Sequence, residues 1–394
     1  VSPKAQPKRS ASSATLPTQL MIVFAAGVIA TGVTCLVGVT SSFLIVLLLI
    51  AGAFSVNAWV VFERFDHWLP MVTALVSVFV TWAIVLMFRL LVTDRQKRRF
   101  SRAVAQYVSP AMARQISEEV DAYDLSPREQ VVTCFFSDLA GFTRMSERLG
   151  PGQTRAVVNP YLDAMSGVFH HHSALINKFM GDGIFAFFNA PILPCDRHPR
   201  AACEAALDQV AALRELIRRH ETHPLADAFA ALSMRIGITS GKAFVGDYGS
   251  ENKLDYTCVG DTVNLASRLE SANKQFGTTI VAARAIRQAA GDGFVFRSLG
   301  RVVVVGQSVP VQVDELIGRA DEVPAERRAE SERFEHGVDA FARRDFSTAR
   351  DIFGECAAKT NSDLLAKRYR DMATELLSTS PPDDWDGALY LTDK

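Results

Sequence analysis

The six cysteines, Cys35, Cys134, Cys195, Cys203, Cys258 and Cys356, form no C-x-x-C pair, and none stands at metal-ligand spacing from a histidine. That absence excludes a zinc finger or ribbon and reads the thiols as reduced packing residues, not a disulfide framework. Net charge is equally scarce: 42 Lys and Arg against 43 Asp and Glu leave −1 over 394 residues. Without a basic excess, nothing in the overall balance points to nucleic acid as a partner. Charge is missing altogether from Leu20 to Phe62 and again from Trp68 to Phe88. Such runs argue against the buried helices of a soluble protein. As one helix the first would be about 65 Å long, roughly twice the hydrocarbon thickness of a bilayer, so it reads as two spans turning near Thr40-Ser41-Ser42.

The second run supplies a third span. Glu63-Arg64-Phe65-Asp66-His67 links them, with Trp59 and Trp68 where interfacial aromatics sit. The apolar sequence is too long, and repeats too often, for a cleaved signal peptide. Arg89, Arg95, Lys97, Arg98, Arg99 and Arg102 follow the last span, so the positive-inside rule puts the C-terminal side in the cytoplasm. Three spans put the N-terminus outside, and Lys4, Lys8 and Arg9 argue mildly against that count. The chain opens with Val1, as a fragment or an alternative start codon would. The expected layout is an N-terminal tail (1–19), a transmembrane region (20–92), a coupling helix (93–125), a folded domain (126–318) and a helical tail (319–394).

Inside the domain, Val131 to Phe136 is a short apolar run that reads as a buried strand. A helix is expected from Gln153 to His172. Ala174–Phe179 and Ile184–Phe188 flank a Gly-containing turn and predict a hairpin. Asp196–His220 and Thr262–Lys274 read as helices, Leu232–Thr239 as a strand, and Val302–Val305 with Val311–Leu316 as late strands. The alternation predicts an α+β domain with helices packed on a mixed sheet. In the tail, Phe334, Gly337, Phe341, Phe346, Ala349 and Phe353 resemble one tetratricopeptide unit. A single repeat cannot bury its own face, so the tail is expected to dock on something. Ser380 to Lys394 reads as loop.

Three blocks carry the chemistry. Phe136-Ser137-Asp138-Leu139-Ala140-Gly141-Phe142-Thr143 ends a strand on a carboxylate, costly unless a cation or donors hold it. The small Gly loop after it, leading into a helix, offers backbone N–H groups to phosphate. Asn177-Lys178-Phe179-Met180-Gly181-Asp182-Gly183 sets a second aspartate at a hairpin tip. The third block, Asp255 to Arg268, places Asn264 and Arg268 four residues apart on one helix face. Two aspartates on neighbouring strands make a hard-oxygen site for Mg²⁺ or Mn²⁺, and an Arg aimed at phosphates supplies further charge neutralisation. Taken alone, Asp138 reads as a strand-end residue, Asp182 as a turn residue and Lys178 as a solvated strand residue. Their ordered combination outweighs those readings. His170-His171-His172 reads as a solvated helix end, since consecutive helical residues diverge.

The ordered blocks F-S-D-L-x-G-F-T, K-F-M-G-D-G and G-D-T-V-N-L-A-S-R-L-E resemble the class III adenylyl and guanylyl cyclases over about residues 127–317. The resemblance implies a ferredoxin-like class III nucleotide cyclase domain behind the N-terminal transmembrane helices. It implies that Asp138 and Asp182, with the Leu139 carbonyl, bind two Mg²⁺ or Mn²⁺ per site. The amides of Leu139, Ala140, Gly141, Phe142 and Thr143 would cradle the phosphates, with Gly181 in the substrate-binding turn. Lys178 and Thr257 would read the base. Asn264 would orient the ribose, Arg268 would stabilise the transition state, and Arg235 would contact phosphate. A Lys/Thr pair implies ATP; guanylyl cyclases carry Glu and Cys at these places. The implied product is cyclic AMP for intracellular signalling, made in a homodimer with sites at the subunit interface, since this chain carries both residue sets. The alternatives are a guanylate cyclase or a catalytically weak nucleotide-binding module. A diguanylate cyclase would need a G-G-D/E-E-F turn, which Met180-Gly181-Asp182-Gly183 does not supply. One departure is the late hairpin, Arg301 to Val311, which lacks the phosphate-binding Lys the family often has there. Trp68-Leu69-Pro70, Tyr107-Val108-Ser109-Pro110 and Pro381 to Gly387 resemble bacterial cyclases with an extracellular CHASE-type sensor, itself absent from this chain. The expected location is the bacterial inner membrane, multi-pass, with lipid as a partner and the catalytic domain cytoplasmic.

Overall fold

The computed structural model describes residues 125–250, 255–305, 309–359, 363–379, 381 and 385–391, together with scattered positions among the first hundred. The chain divides into two units, Val1–Phe100 and Ser101–Lys394. In the first, Ser12–Ser13 pairs in parallel with His67–Trp68. Its described helical positions include Met21, Phe24, Leu48, Phe79 and Phe88, all exposed. No helix among the described residues is long and apolar enough to cross a membrane. The expected spans fall mostly, and the coupling helix almost wholly, on residues outside those described.

The second unit is built on one nine-stranded sheet. Its elements are β1 (Arg128–Leu139), α1 (Phe142–His171), β2 (Leu175–Met180), β3 (Gly183–Phe188), α2 (His198–Arg219), α3 (Ala226–Ala230), β4 (Met234–Asp247) and β5 (Tyr256–Val259). Then follow α4 (Asp261–Phe276), β6 (Ile280–Ala283), α5 (Arg284–Ala290), β7 (Phe294–Val303) and β8 (Val311–Arg319). The chain closes with α6 (Ala325–Ala342), α7 (Phe346–Lys359), α8 (Leu364–Thr379) and β9 (Leu389–Tyr390). The strand order is β9-β7-β8-β6-β4-β1-β3-β2, with β5 pairing the far end of β4. β4 and β6 run parallel while β1 is antiparallel to both its neighbours, so the sheet is mixed as expected.

β1 explains why the apolar run carries no alternation: both faces are covered. Its odd positions, Phe135 and Leu139, enter a core with Val157, Tyr161, Met165 and Phe169 of α1. Thr133, on the same face, hydrogen-bonds His198 at the start of α2 (2.7 Å). The even positions turn the other way: Phe136 stacks on Phe185 with ring centroids 4.5 Å apart. Asp138 follows Phe136 onto that second face. Each fully buried large apolar side chain in such a core contributes about 1.5–3 kcal/mol.

The second face is where α4 lies, and glycine lets it approach. A Cβ on Gly237 of β4 would stand 2.2 Å from both the Ala266 carbonyl oxygen and the Glu270 nitrogen of α4. Asn273 then reaches from α4 to the Ile236 carbonyl (2.9 Å). The helix axis is therefore set by backbone against backbone.

The tail is part of this unit's core and not an appendage. Phe334, Phe341, Phe353 and Tyr369 bury against Leu269, Phe276, Val281, Leu299 and Val302. The Tyr369 hydroxyl donates to the Leu299 carbonyl (2.8 Å). The face that a lone helical repeat leaves uncovered is thus covered by the chain's own sheet. Leu389–Tyr390, expected as loop, adds a strand parallel to β7. Trp385 packs on Phe341 and Phe346 just before it.

Gly237→Ala is expected to destabilise the protein by about 1–3 kcal/mol, because backbone has no rotamer with which to yield. Urea denaturation of the full chain measures it; an unchanged midpoint would contradict the contact.

Candidate active site

Three elements meet on the second face. β1 ends at Asp138 and Leu139, and the β2–β3 turn carries Asp182. Antiparallel pairing of β1 with β3 brings the turn back to the end of β1, where Ser137 faces Ile184. A Cβ on Gly183 would stand 3.4 Å from Asp138 Oδ1, and the Leu139 amide donates to Asp182 Oδ2 (3.2 Å). Gly181 holds the turn with φ +72°. Burial first, then a hydrogen bond and the charge of Asp138, push the Asp182 carboxyl up to about 7.

Arg235 sits opposite Asp138 in the β1–β4 register. Its Nη2 lies 3.8 Å from Asp138 Oδ2, and its Nε lies 3.5 Å from Glu270 Oε1 of α4. Within one chain Arg235 is therefore a guanidinium between two carboxylates. Glu270, unassigned from sequence, is pushed up to about 7 by burial and then by the charge of Asp138. Its only sequence signal is its place as the last residue of the motif G-D-T-V-N-L-A-S-R-L-E.

The loop after Asp138 takes the shape its composition predicts. Gly141 caps α1 in the left-handed region at φ +78°, where a side chain would be strained. The Leu139 amide is taken by Asp182, and the Ala140 amide donates to the Ser233 carbonyl (2.8 Å). Gly141, Phe142 and Thr143 remain at a helix N-terminus, where first-turn amides have no carbonyl one turn back.

Lys178 lies exposed on β2 and Thr257 is buried on β5. Asn177 joins the two strands, its Nδ2 donating to the Tyr256 carbonyl (2.8 Å) and its Oδ1 accepting from Thr257 Oγ1 (3.3 Å). Asn264 and Arg268 line one open groove with Ser267, Val304, Val305 and Leu391. Glu270, two residues past Arg268, is about 200° round the helix from it, so α4 presents its carboxylate inward and Asn264 and Arg268 elsewhere. One chain thus brings together Asp138, Leu139, Asp182 and Arg235, and separately Lys178 with Thr257 and Asn264 with Arg268. His172 pairs with Asp208 (2.7 Å), so the histidine run does not converge.

The donor set suits a hard divalent cation. Two hard-oxygen side chains face each other, and the proton affinity of Asp182 is raised by burial and then by its bond to and the charge of Asp138, a condition a cation would relieve. Among the described residues no group of three or more His, Cys, Asp or Glu could hold a metal, so any ion there would take further ligands from backbone, water or substrate.

The profile of the adenylate and guanylate cyclase catalytic domain matches residues 125–314. Adenylate cyclase 1 of Rhizobium meliloti is 37% identical over 189 residues, covering 48% of this chain and 28% of that protein. The chain therefore spans under a third of that curated relative. The crystal structure of the adenylyl cyclase CyaB from P. aeruginosa is 29% identical over 51% of this chain and 100% of that one, with a TM-score of 0.46. That of a guanylyl cyclase is 33% identical over 50% of this chain and 96% of that one, with a TM-score of 0.44.

Asp182 and Glu270 hold protons more tightly folded than unfolded. Between about pH 4 and 7 the native state binds the extra protons, so stability without divalent ions is expected to fall as pH rises through that window. Asp182→Asn should flatten the fall, as read from urea midpoints across pH; an identical slope would contradict the pairing.

By its motifs and its match to the family profile, the domain over residues 125–314 belongs to the class III adenylate and guanylate cyclase catalytic domains.

Proposed function

We propose that the domain is an adenylate cyclase, converting ATP to 3′,5′-cyclic AMP and pyrophosphate. The observation that carries this reading is the pair Asp138 and Asp182 beside the left-handed Gly141 loop. Bound there, two Mg²⁺ or Mn²⁺ ions would activate the ribose 3′-hydroxyl and neutralise the leaving pyrophosphate. Asp138, Asp182 and the Leu139 carbonyl would hold them. The amides of Gly141, Phe142 and Thr143 hold phosphate oxygens. Lys178 donates to the adenine ring nitrogen and Thr257 accepts from the amino group. Asn264 orients the ribose, and Arg268 opposes the charge that gathers on the α-phosphate as the ring closes. Arg235 keeps the carboxylates from repelling each other before substrate arrives and stands close enough to turn toward phosphate.

A homodimer fits this division. Asn264 and Arg268 leave α4 on a different side from Glu270, so a second copy can present them to the aspartates of the first. The exposed apolar positions Met21, Phe24, Leu48, Phe79 and Phe88 support the reading that residues 20–92 anchor the chain in the inner membrane, with lipid as partner and the catalytic domain in the cytoplasm.

Purified full-length protein with Mn²⁺ should form cyclic AMP from ATP and far less cyclic GMP from GTP. Asp138→Ala or Asp182→Ala should abolish turnover, and Arg268→Ala should lower kcat by about a hundredfold or more. Mixing Asp138→Ala with Arg268→Ala should restore activity, because a mixed dimer rebuilds one complete site. No cyclic nucleotide from an intact dimer would overturn the proposal, and a mixture no more active than its parts would overturn the shared site. In cells, the full chain should stay in the membrane pellet after carbonate washing; release into the supernatant would contradict the anchor.

A further inference from the structure

Asn177 lies immediately before Lys178, yet the two differ sharply in environment. Lys178, Phe179 and Met180 are exposed, while Asn177 is 7% exposed. A buried amide is costly unless its polar atoms find partners, and here both ends have one. Nδ2 donates to the Tyr256 carbonyl at 2.8 Å. A carbonyl can only accept, so this bond fixes which way round the amide sits. Oδ1 must then be the atom facing Thr257, 3.3 Å from its Oγ1. Oδ1 also can only accept. The single hydroxyl proton of Thr257 is therefore committed to Asn177, and the oxygen shows any ligand only lone pairs.

We propose that Asn177 is a specificity-determining positioning residue, which locks the Thr257 hydroxyl as an acceptor and so selects an amino group over an oxo group on the purine. This rests on the reading of Lys178 and Thr257 as the pair that meets the base. A free threonine hydroxyl would rotate and serve either base, since it both donates and accepts. Held by Asn177, it faces an adenine amino group with complementary lone pairs and the guanine 6-oxo group with like ones. Lys178 reinforces the choice, because an ammonium only donates and suits the unprotonated ring nitrogen of adenine. Two adjacent residues of β2 thus form a donor and acceptor code, one directly and one through its neighbour on β5. The Tyr256 backbone carbonyl is the fixed reference for the code, because β5 is pinned to β4 from Tyr256 to Val259.

The test compares kcat/KM for ATP and GTP in the full-length protein. Competition of each nucleotide against a fluorescent ATP analogue reads the same ratio without turnover. Asn177→Ala should lower the ATP-to-GTP ratio about tenfold, mostly through KM, because a hydrogen bond to the wrong group is no longer forbidden. Asn177→Asp keeps an acceptor toward Thr257 and should hold the ratio within about threefold of the parent. Asn177→Leu, nearly the same size without an acceptor, serves if the alanine variant does not fold. Thr257→Val should lower the ratio as well, and adding Asn177→Ala to it should change nothing further, since no hydroxyl is left to orient. Loss of turnover with an unchanged ratio in both Asn177→Ala and Asn177→Leu, while Thr257→Val lowers it, would overturn the role of Asn177 alone. An unchanged ratio in Thr257→Val would overturn the base-reading pair itself, and the inference with it.

Discussion

Two carboxylates held against each other at the end of a buried strand are the constraint around which this domain is arranged. Antiparallel pairing of β1 with β3 leaves the hairpin turn no other place than beside Asp138. The Leu139 amide and the Arg235 guanidinium offset part of the repulsion. Burial, and after it the charge of Asp138, raises the proton affinity of Asp182 and Glu270. A fold optimised only for stability would place an apolar side chain or a lysine here. Surplus negative charge kept at a half-closed site marks it as a candidate place for a cation.

The position of α4 follows from the same face of the sheet. Gly237 admits the helix until backbones touch, and Asn273 and Thr278 then fix its end by side-chain bonds. Because the helix can neither slide nor lift, its two polar sides have fixed roles. Glu270 completes the charge cluster in its own chain, while Asn264 and Arg268 are carried into a groove whose wall includes Leu391 from the end of the chain. The C-terminal segment is tied down close to that groove: Arg368 binds the Tyr390 carbonyl and also Gln275 of α4. The tail therefore belongs to the mechanical support of the site.

Much of the fold was legible because its signals are local. The buried run of β1, the Gly-centred hairpin and the helix that begins with Asp261 all announce themselves within ten residues, and each lies where it was expected. The three blocks named Asp138, Asp182, Asn264 and Arg268 because each pairs a polar group with a turn or helix start. What stayed hidden depends on long-range contact. Glu270 reads as an ordinary exposed helix residue until Arg235, 35 positions away, is seen to face it. The role of Asn177 needs β5, some 80 residues distant, and no pattern in either segment declares the pairing. The tail was expected to dock, but on what stayed hidden: its partner is the chain's own sheet, and periodicity says which face is apolar but not what covers it. The membrane expectation rests on residues that the described structure mostly does not include.

The missing lysine of the late hairpin can now be weighed against the charges present. Arg301, the arginine of that hairpin, donates from Nη1 to the Asp386 carbonyl at 2.9 Å, so it is occupied in holding the C-terminal segment. Arg284 and Arg287 are likewise engaged, both with buried Asp314. In the proposed reaction the positive charge near the triphosphate therefore falls to Arg268, to the two ions and to the loop amides, with Arg235 as a further guanidinium beside Asp138. Arg235 is held by contacts of 3.5 and 3.8 Å, longer than a charge-assisted hydrogen bond, so turning from carboxylate to phosphate costs it little. Divalent ions arriving at Asp138 and Asp182 would weaken its hold on Asp138 at the moment phosphate needs it. On this reasoning an arginine whose resting place is the proposed metal site would make up for the absent lysine.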